Sequence, residues 1–380
     1  MRRKIFFITA MHATQLLNSA APGRNASLEN CVCLDKVFFM GGSESNKAMD
    51  VVGVGINATD TIIRLPCFPR LDSKVEVISS EMMPGGQVAS AVVACRRWGL
   101  RARYVGKIGE DAAAQLQIDE MENEGVETRW IIAPESNSQS AYILVDESSG
   151  ERTVLWKRDS SIALKPSDLK REWIWDAHIL LIDGHDTEAS ATAARWAKQE
   201  GLEVVGDFDN LYPGVEAVLQ DTDLPVTSKD FPERLTGEKD LLKSLPMIFE
   251  HFKCRLMAAT LGRLGALAWD GVRFLLCPGF RVDTVDTTGA GDIFHGAFVY
   301  GLTSRKPFEE ILEFACAAAA LNCTAPGARG NIASLDKIEK LRRTGERSEL
   351  AYSAAQLEAA AHSAIAARLN SSHRSLGAAE

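Results

Sequence analysis

The sequence predicts an α/β fold built on a doubly wound, mainly parallel sheet with helices on both faces. Two observations predict it. Between residues 178 and 260, short apolar runs alternate with longer helical patterns, as strand–helix–strand crossovers do. Upstream, a glycine-punctuated apolar run at 51–56 and an Ala/Val-rich segment at 87–98 start the same alternation. Right-handed crossovers then cover both sheet faces with helices.

Each element has its own signal. Residues 51–56 are short, apolar and flanked by turn residues, like a buried strand. Residues 75–79 alternate like a half-buried strand. Gln87 to Trp98 reads as a buried helix stopped by Gly99. A strand at 103–108 and a helix at 111–124, closed by Gly125, follow. Two β-rich pieces, 140–145 and 152–156, flank Asp146-Glu147-Ser148-Ser149-Gly150, a hairpin pattern. Strands at 178–183, 202–207, 224–227 and 256–260 then alternate with helices at 187–200, 215–219 and 239–252. Asp270-Gly271 turns a second hairpin between 266–269 and 272–276. A strand-like segment at 280–285 feeds helices at 290–301 and 307–322, and 349–369 carries a further helical pattern.

The chain thus divides into an extension at 1–49, a core domain at 50–340 and a helical or disordered tail at 341–380. Met1-Arg2-Arg3-Lys4 precedes a short apolar stretch, but His12 and Gln15 interrupt it. The extension therefore reads as disordered rather than as a signal peptide. Of 380 residues, 46% are hydrophobic and 24% charged, which excludes a disordered chain. Lys and Arg number 42 against 51 Asp and Glu, and the net charge of −9 disfavours a nucleic-acid partner. No apolar run is long enough to cross a bilayer, so no membrane partner is expected. None of the eight cysteines forms a CxxC pair, which fits reduced, buried thiols in a cytoplasmic protein. The seven histidines show no zinc spacing. Gly53-Val54-Gly55-Ile56-Asn57-Ala58 matches a dinucleotide fingerprint, but Thr59-Asp60-Thr61-Ile62 does not open the helix it needs.

The strongest chemical signal is Asp286-Thr287-Thr288-Gly289-Ala290-Gly291-Asp292, followed by an apolar helix from Ile293. Glycines at 289 and 291 let the backbone approach a ligand closely. The free amides and positive dipole end of the helix make an anion site. Asp292 is either a carboxylate matched to the dipole or a general base beside a phosphate, and the full run favours the base. Phosphoryl transfer needs positioning and stabilisation of charge on oxygens, which backbone amides supply. No GxxxxGK[ST] run and no HRD or DFG signature offers another nucleotide site. Pro84-Gly85-Gly86-Gln87 makes a second turn whose amides can meet a polar ligand. Asp183-Gly184-His185-Asp186 and Asp207-Phe208-Asp209 end strands on the ligand edge of the sheet. His295 reads as a structural side chain, and Arg158 as a solvated charge.

In these two glycine motifs, and in Val105-Gly106-Lys107-Ile108-Gly109-Glu110-Asp111 between them, residues 50–340 resemble the PfkB/ribokinase family of carbohydrate kinases. The resemblance implies a Rossmann-like, ribokinase-like domain with a small β-sheet lid, its strands at about 60–80 and 130–157. It implies ATP with Mg²⁺ as phosphate donor, K⁺ in many members, and transfer to a hydroxyl of a small sugar such as a pentose or ketohexose. A nucleoside acceptor and a non-catalytic sugar or nucleotide sensor stand as alternatives. On the family pattern Asp292 is the base, and Gly289, Ala290 and Gly291 form the anion hole. Asp60, Gly85, Gly86 and Ser90 fall at the acceptor, and Ser228, Thr260, Gly262 and Gly327 at the nucleotide. Asp286 and Thr288 fall in the monovalent-cation loop. Ser90 stands where many members have Asn, and Ser228-Lys229-Asp230-Phe231-Pro232-Glu233 replaces their Asn-x-x-Glu, in a ketohexokinase-like way. The resemblance also implies a homodimer paired through the lids.

Overall fold

The computed structural model describes residues 47–148 and 152–376. Most of the expected extension, with Cys31 and Cys33, lies outside the described residues, as does the hairpin tip at 149–151.

The chain begins with β1 (Met49–Val54), β2 (Ala58–Leu65), β3 (Ser79–Gly85), α1 (Gln87–Arg97), β4 (Ala102–Ile108) and α2 (Ala112–Asn123). Next come β5 (Glu127–Ile132), β6 (Ser140–Asp146), β7 (Arg152–Lys157), β8 (Ala177–Asp183), α3 (Thr187–Gln199) and β9 (Glu203–Phe208). They lead to α4 (Val215–Leu219), β10 (Leu224–Ser228), α5 (Phe231–Thr236), α6 (Leu241–Phe252) and β11 (Met257–Thr260). The hairpin of β12 (Gly265–Trp269) and β13 (Phe274–Pro278) precedes α7 (Ala290–Thr303), α8 (Phe308–Asn322), α9 (Leu335–Thr344) and α10 (Ala354–Leu376).

Nine strands form the main sheet in the order β13-β12-β11-β10-β9-β8-β1-β4-β5. The ladders from β5 to β11 are parallel, and β12 and β13 add antiparallel. Successive strand side chains point to opposite faces, so apolar runs feed two cores. Val51 and Leu181 pack with α1, α7, α8 and α9, whereas Val52 and Leu180 pack with α3, α6 and α10. Each such fully buried side chain contributes about 1.5–3 kcal/mol. Strand order reverses between β1 and β8, the place where open α/β sheets bind ligands. There Asp183 accepts a 2.6 Å hydrogen bond from the Ile56 amide, tying the two strand ends together.

A second sheet, β3-β2-β6-β7, forms the lid. Its register places Met83, Asp60, Ala141 and Trp156 in one row, with Ile62 and Ile143 on the same face. Ile62, Ala141, Ile143 and Val145 form a small core of their own.

Several elements differ from expectation. The strand expected at 75–79 begins only at Ser79. Its partner β2 ends at Leu65, before Pro66, so the Ile78 amide still bonds the Arg64 carbonyl at 2.8 Å but nothing remains for 75–77 to pair with. Residues 130–132, at the start of the stretch assigned to the lid, belong instead to β5, the edge of the main sheet beside β4. The segment 280–285 is not a strand: it has left the sheet edge, and the Val285 and Asp286 amides both bond the Cys323 carbonyl. The dinucleotide pattern at 53–58 runs into β2, with no helix. Cys67 is exposed, whereas Cys95, Cys254, Cys277, Cys316 and Cys323 are buried. Arg158 is not a solvated charge: it pairs with Asp186 through largely buried side chains.

Candidate active site

The loop into α7 is built before any ligand arrives. Gly289 caps the helix at φ 71°, a left-handed conformation, and a Cβ there would lie 2.1 Å from the Ala328 carbonyl oxygen. The buried Asp286 carboxylate accepts from the Thr288 amide at 2.8 Å and the Thr288 hydroxyl at 2.7 Å. Its other oxygen accepts from the Gly327 amide at 2.9 Å, so Asp286 clamps the loop to the turn after α8. Asn322, fully buried, donates to the Thr288 and Ala328 carbonyls at 3.3 and 3.1 Å. No side chain caps the α7 N-terminus, and a Cβ at Gly291 would meet no atom within 4 Å. The first turn therefore offers amides without intrahelical acceptors to open space. Asp292 sits in that turn.

On one side of α7 lies an acidic pocket beneath the lid. Asp60 projects from β2, 6% exposed, and a Cβ on Gly85 would lie 2.1 Å from its Oδ2. Gly86, at φ 89°, starts α1 without a side-chain cap. Ser90 is fully buried and accepts from Arg329 Nε at 3.2 Å. Arg329 also donates to the Gly85 carbonyl at 3.0 Å and lies 3.6 Å from Glu120. The strand ends bring Asp183, Asp207 and Asp209 to the same region, with Gln87 bonded to Asp209.

This crowding shows in the acidities. Burial, then Asp207, Asp60 and Asp209, push the Asp292 carboxyl up to about 8 against a pull from His295. Burial pushes Asp60 and Asp183 each up to about 6. Asp207 is held well above the usual carboxylate range by burial and by its neighbours Asp209 and Asp183.

On the other side of α7 is a cavity of about 410 Å³. Thr287, Ala290 and Gly291 line one part, and Thr260 and Gly262 another. Phe280, Phe294, Cys316 and Ala319 give it an apolar wall. Arg152 and Arg263 are its cations, and among the described residues no carboxylate lines it. Arg152 projects from lid strand β7 and contacts the Thr287 hydroxyl.

The structure brings Asp292, Gly289, Ala290 and Gly291 together with Asp60, Gly85 and Gly86, and brings Thr260 and Gly262 to the opposite cavity. Two of the nucleotide assignments fall elsewhere. Ser228 pairs with Thr260 one strand away from the cavity lining, its hydroxyl on the Asp209 carbonyl at 3.0 Å. Gly327 faces Met83 and Ile62 of the lid rather than the cavity. Sequence reasoning missed Asn322, Arg329 and Arg152. Asn322 was visible only as part of an Asn-Cys-Thr sequon, and its burial forbids that use. Arg329 follows the Pro326-Gly327-Ala328 turn, and Arg152 opens a strand. Neither has a local pattern that announces a partner.

An uncapped helix start that presents amides to an anion and a carboxylate to a hydroxyl defines a phosphotransferase with an alcohol acceptor. The comparison with known proteins makes this specific. Residues 49–334 match the pfkB family carbohydrate kinase, and the chain belongs to that family. It is 29% identical over 303 residues to a ribokinase of Haemophilus influenzae, covering 75% of this chain and 95% of that one. It is 27% identical over 284 residues to an ATP-dependent ribose-1-phosphate kinase of Halopiger xanaduensis, covering 73% and 93%. The solved ribokinase of Thermotoga maritima superposes with a TM-score of 0.68 at 25% identity, over 78% of this chain and all of that one. The chain is a carbohydrate kinase with the ribokinase-like fold.

Proposed function

We propose that the protein transfers the γ-phosphate of ATP to a hydroxyl of an uncharged pentose or ketohexose. The separation of charge across α7 carries this reading. The cavity with Arg152 and Arg263 suits a nucleotide, its apolar wall for the base and its amide end for phosphate. The pocket on the other side suits a polyhydroxyl acceptor. Among the described residues its nearby cations already have carboxylate partners: Arg158 with Asp186, Arg329 with Glu120 and Arg64 with Glu147. The carboxylates that converge there, Asp60 and Asp209 among them, repel an acceptor that carries its own phosphate.

Asp292 accepts the proton of the attacking hydroxyl. The oxygen forms a bond to the γ-phosphorus as the bond to the β–γ bridging oxygen breaks, and ADP leaves with that electron pair. The amides at Ala290 and Gly291 face the charge on the transferred group. Asp60, with the turn at Gly85 and Gly86, orients the acceptor. Among the described residues no group of three or more His, Cys, Asp or Glu is arranged to hold a metal. Mg²⁺ therefore fits as a companion of the triphosphate, held by phosphate oxygens and water, where it neutralises phosphate charge.

Three finer assignments belong to the same proposal. K⁺ binds at the loop of Asp286 and Thr288, which the buried Asp286 carboxylate supports. Two copies pair through their lids: Met82, Thr61, Tyr142 and Leu155 form one row on the outer face, and Met82, Tyr142 and Leu155 are exposed. The setting is cytoplasmic, which the six free cysteines among the described residues support. No described helix is long and apolar enough to cross a membrane.

The test is ADP release with Mg-ATP across free sugars, nucleosides and sugar phosphates, with Asp292→Asn as control. Strong turnover of one free sugar that depends on Asp292 is the expected result. Turnover only of a phosphorylated sugar removes the acceptor assignment, and turnover that survives Asp292→Asn removes the base.

A further inference from the structure

Two arginines are buried among the described residues, and they are held differently. Arg103 bonds Asp176 through Nη1 and Nη2 and Glu127 through Nε, so its charge is fully matched. Arg329, 8% exposed in the turn between α8 and α9, has no carboxylate at hydrogen-bond distance. Its Nε donates to the Ser90 hydroxyl at 3.2 Å and its Nη2 to the Gly85 carbonyl at 3.0 Å. Nη1 has no hydrogen-bond partner and lies 3.6 Å from Glu120. A buried cation so loosely matched costs stability, and an apolar side chain would fill the space at less cost. Packing alone therefore does not account for it.

Its surroundings do. The Gly85 carbonyl that it holds belongs to the residue packed on the Asp60 carboxylate, where no Cβ fits. Asp60 is 6% exposed, and its neighbours across the lid sheet, Met83 and Ala141, are uncharged. The charged groups that face it are Arg329, Asp286 from the loop before α7 and Asp292 from α7. Arg329 is the cation among them. Burial, ahead of Asp286, favours the protonated Asp60 carboxyl, and Arg329 opposes both. An ionised carboxylate accepts hydrogen bonds at both oxygens, whereas a protonated one carries a donor.

We propose that Arg329 is a positioning residue of the acceptor pocket: its guanidinium ties the Gly85 turn to Ser90 of α1, and its charge keeps Asp60 ionised to accept hydrogen bonds from the sugar. The inference rests on the reading of Asp60 as the group that orients the acceptor. A guanidinium suits this place better than an ammonium. Its planar fork reaches Ser90 and Gly85 at once, and it keeps its proton when buried.

The test has two readouts. The first needs no substrate, so it stands apart from the assignment of the acceptor. In the full-length protein labelled with ¹³C at the aspartate side-chain carboxyls, the Asp60 signal is the one that Asp60→Asn removes. Arg329→Gln is expected to raise the pH at which Asp60 titrates by about one unit or more, and an unmoved titration overturns the proposal. The second readout is steady-state ADP release at pH 7 with the free sugar that is turned over fastest. Arg329→Gln is expected to raise the KM of that sugar about tenfold or more and to leave ATP affinity unchanged. A loss of kcat alone, or an equal weakening of ATP, overturns the proposal, since either marks damage to the fold rather than to the acceptor pocket. Turnover of no free sugar refutes the acceptor assignment instead, and the Asp60 titration then decides the role of Arg329. Should Arg329→Gln fail to fold, Arg329→Lys serves, because it keeps the cation and loses the fork. Asp60 must then titrate as in the wild type while the KM of the sugar rises several-fold. A shifted titration or an unchanged KM in that variant overturns the proposal.

Discussion

Gly85→Ala gives the sharpest test of the acceptor pocket. A Cβ at that position would stand 2.1 Å from Asp60 Oδ2, 2.6 Å from its Cγ and 2.9 Å from Oδ1. Carbon and oxygen do not approach this closely without a bond, so the Asp60 carboxylate must retreat by about 1 Å to a permitted contact. Asp60 is buried on a strand whose neighbours Ile62 and Ala141 are packed, so it has little room to re-aim. A misplacement of about 1 Å in an orienting group costs on the order of 100-fold in rate. The assay is steady-state ADP release with acceptor and ATP varied separately, beside direct titration with ATP. The expected result is a loss on the order of 100-fold in kcat/KM for the acceptor with ATP affinity unchanged, because the cavity lies across α7. An unchanged acceptor kcat/KM, or an equal loss of ATP affinity, refutes the assignment of Asp60 and Gly85 to the acceptor.

Asp292→Asn keeps ATP binding and thermal stability but lowers turnover 10²- to 10⁴-fold, and unchanged turnover removes Asp292 from the mechanism. Because Asp292 sits at about 8, only about a tenth of it is ionised at pH 7, so kcat/KM rises with pH up to about 8 and then levels. A profile flat from pH 6 to 9 contradicts this. Arg152→Gln weakens ATP several-fold while leaving AMP nearly unaffected, and equal effects on both place Arg152 away from the phosphates. Asp183, fully buried, binds its proton more tightly folded than unfolded, at about 6 against 3.8. Its contribution is complete below the unfolded value and is lost as pH rises through about 6, at most about 3 kcal/mol. Chemical denaturation of wild type and Asp183→Asn at pH 4 and 7 checks it. The wild type must lose stability relative to the variant on going to pH 7.

Much of this was legible in the residues because the relevant signals are local. The α7 start is written in one run from Asp286 to Asp292, since an amide nest, a left-handed glycine and a first-turn carboxylate all need neighbours in sequence. The parallel strands were legible because a strand buried on both faces must be continuously apolar, as in the 179–182 run of β8. What stayed hidden depends on partners far along the chain. β5 shows no clean alternation, for it is an edge strand with residues of intermediate exposure. The run 75–79 alternates, but only its last two residues reach β2. Asn322, Arg329 and His295 owe their roles to atoms across the fold: Arg329 meets Ser90 239 residues away, and His295 meets the Val226 carbonyl 69 residues away.

The two sides of α7 also explain why one carboxylate can serve both substrates. A triphosphate brings several negative charges and needs amides and cations. A sugar hydroxyl needs carboxylates that accept its hydrogen bonds and, at one oxygen, its proton. Mixed in one pocket, these groups would neutralise each other, and buried ion pairs of that kind return little net energy. The fold separates them with a single helix. Arg152 and Arg263 line the cavity on one side, and Asp60, Asp183 and Asp209 converge on the other. On the proposed reading, Asp292 sits at the boundary, in the turn whose amides face the phosphate. On the same reading, the carboxylates that accept the sugar also raise the pKa of Asp292, which makes it a stronger base but empties its reactive form at neutral pH.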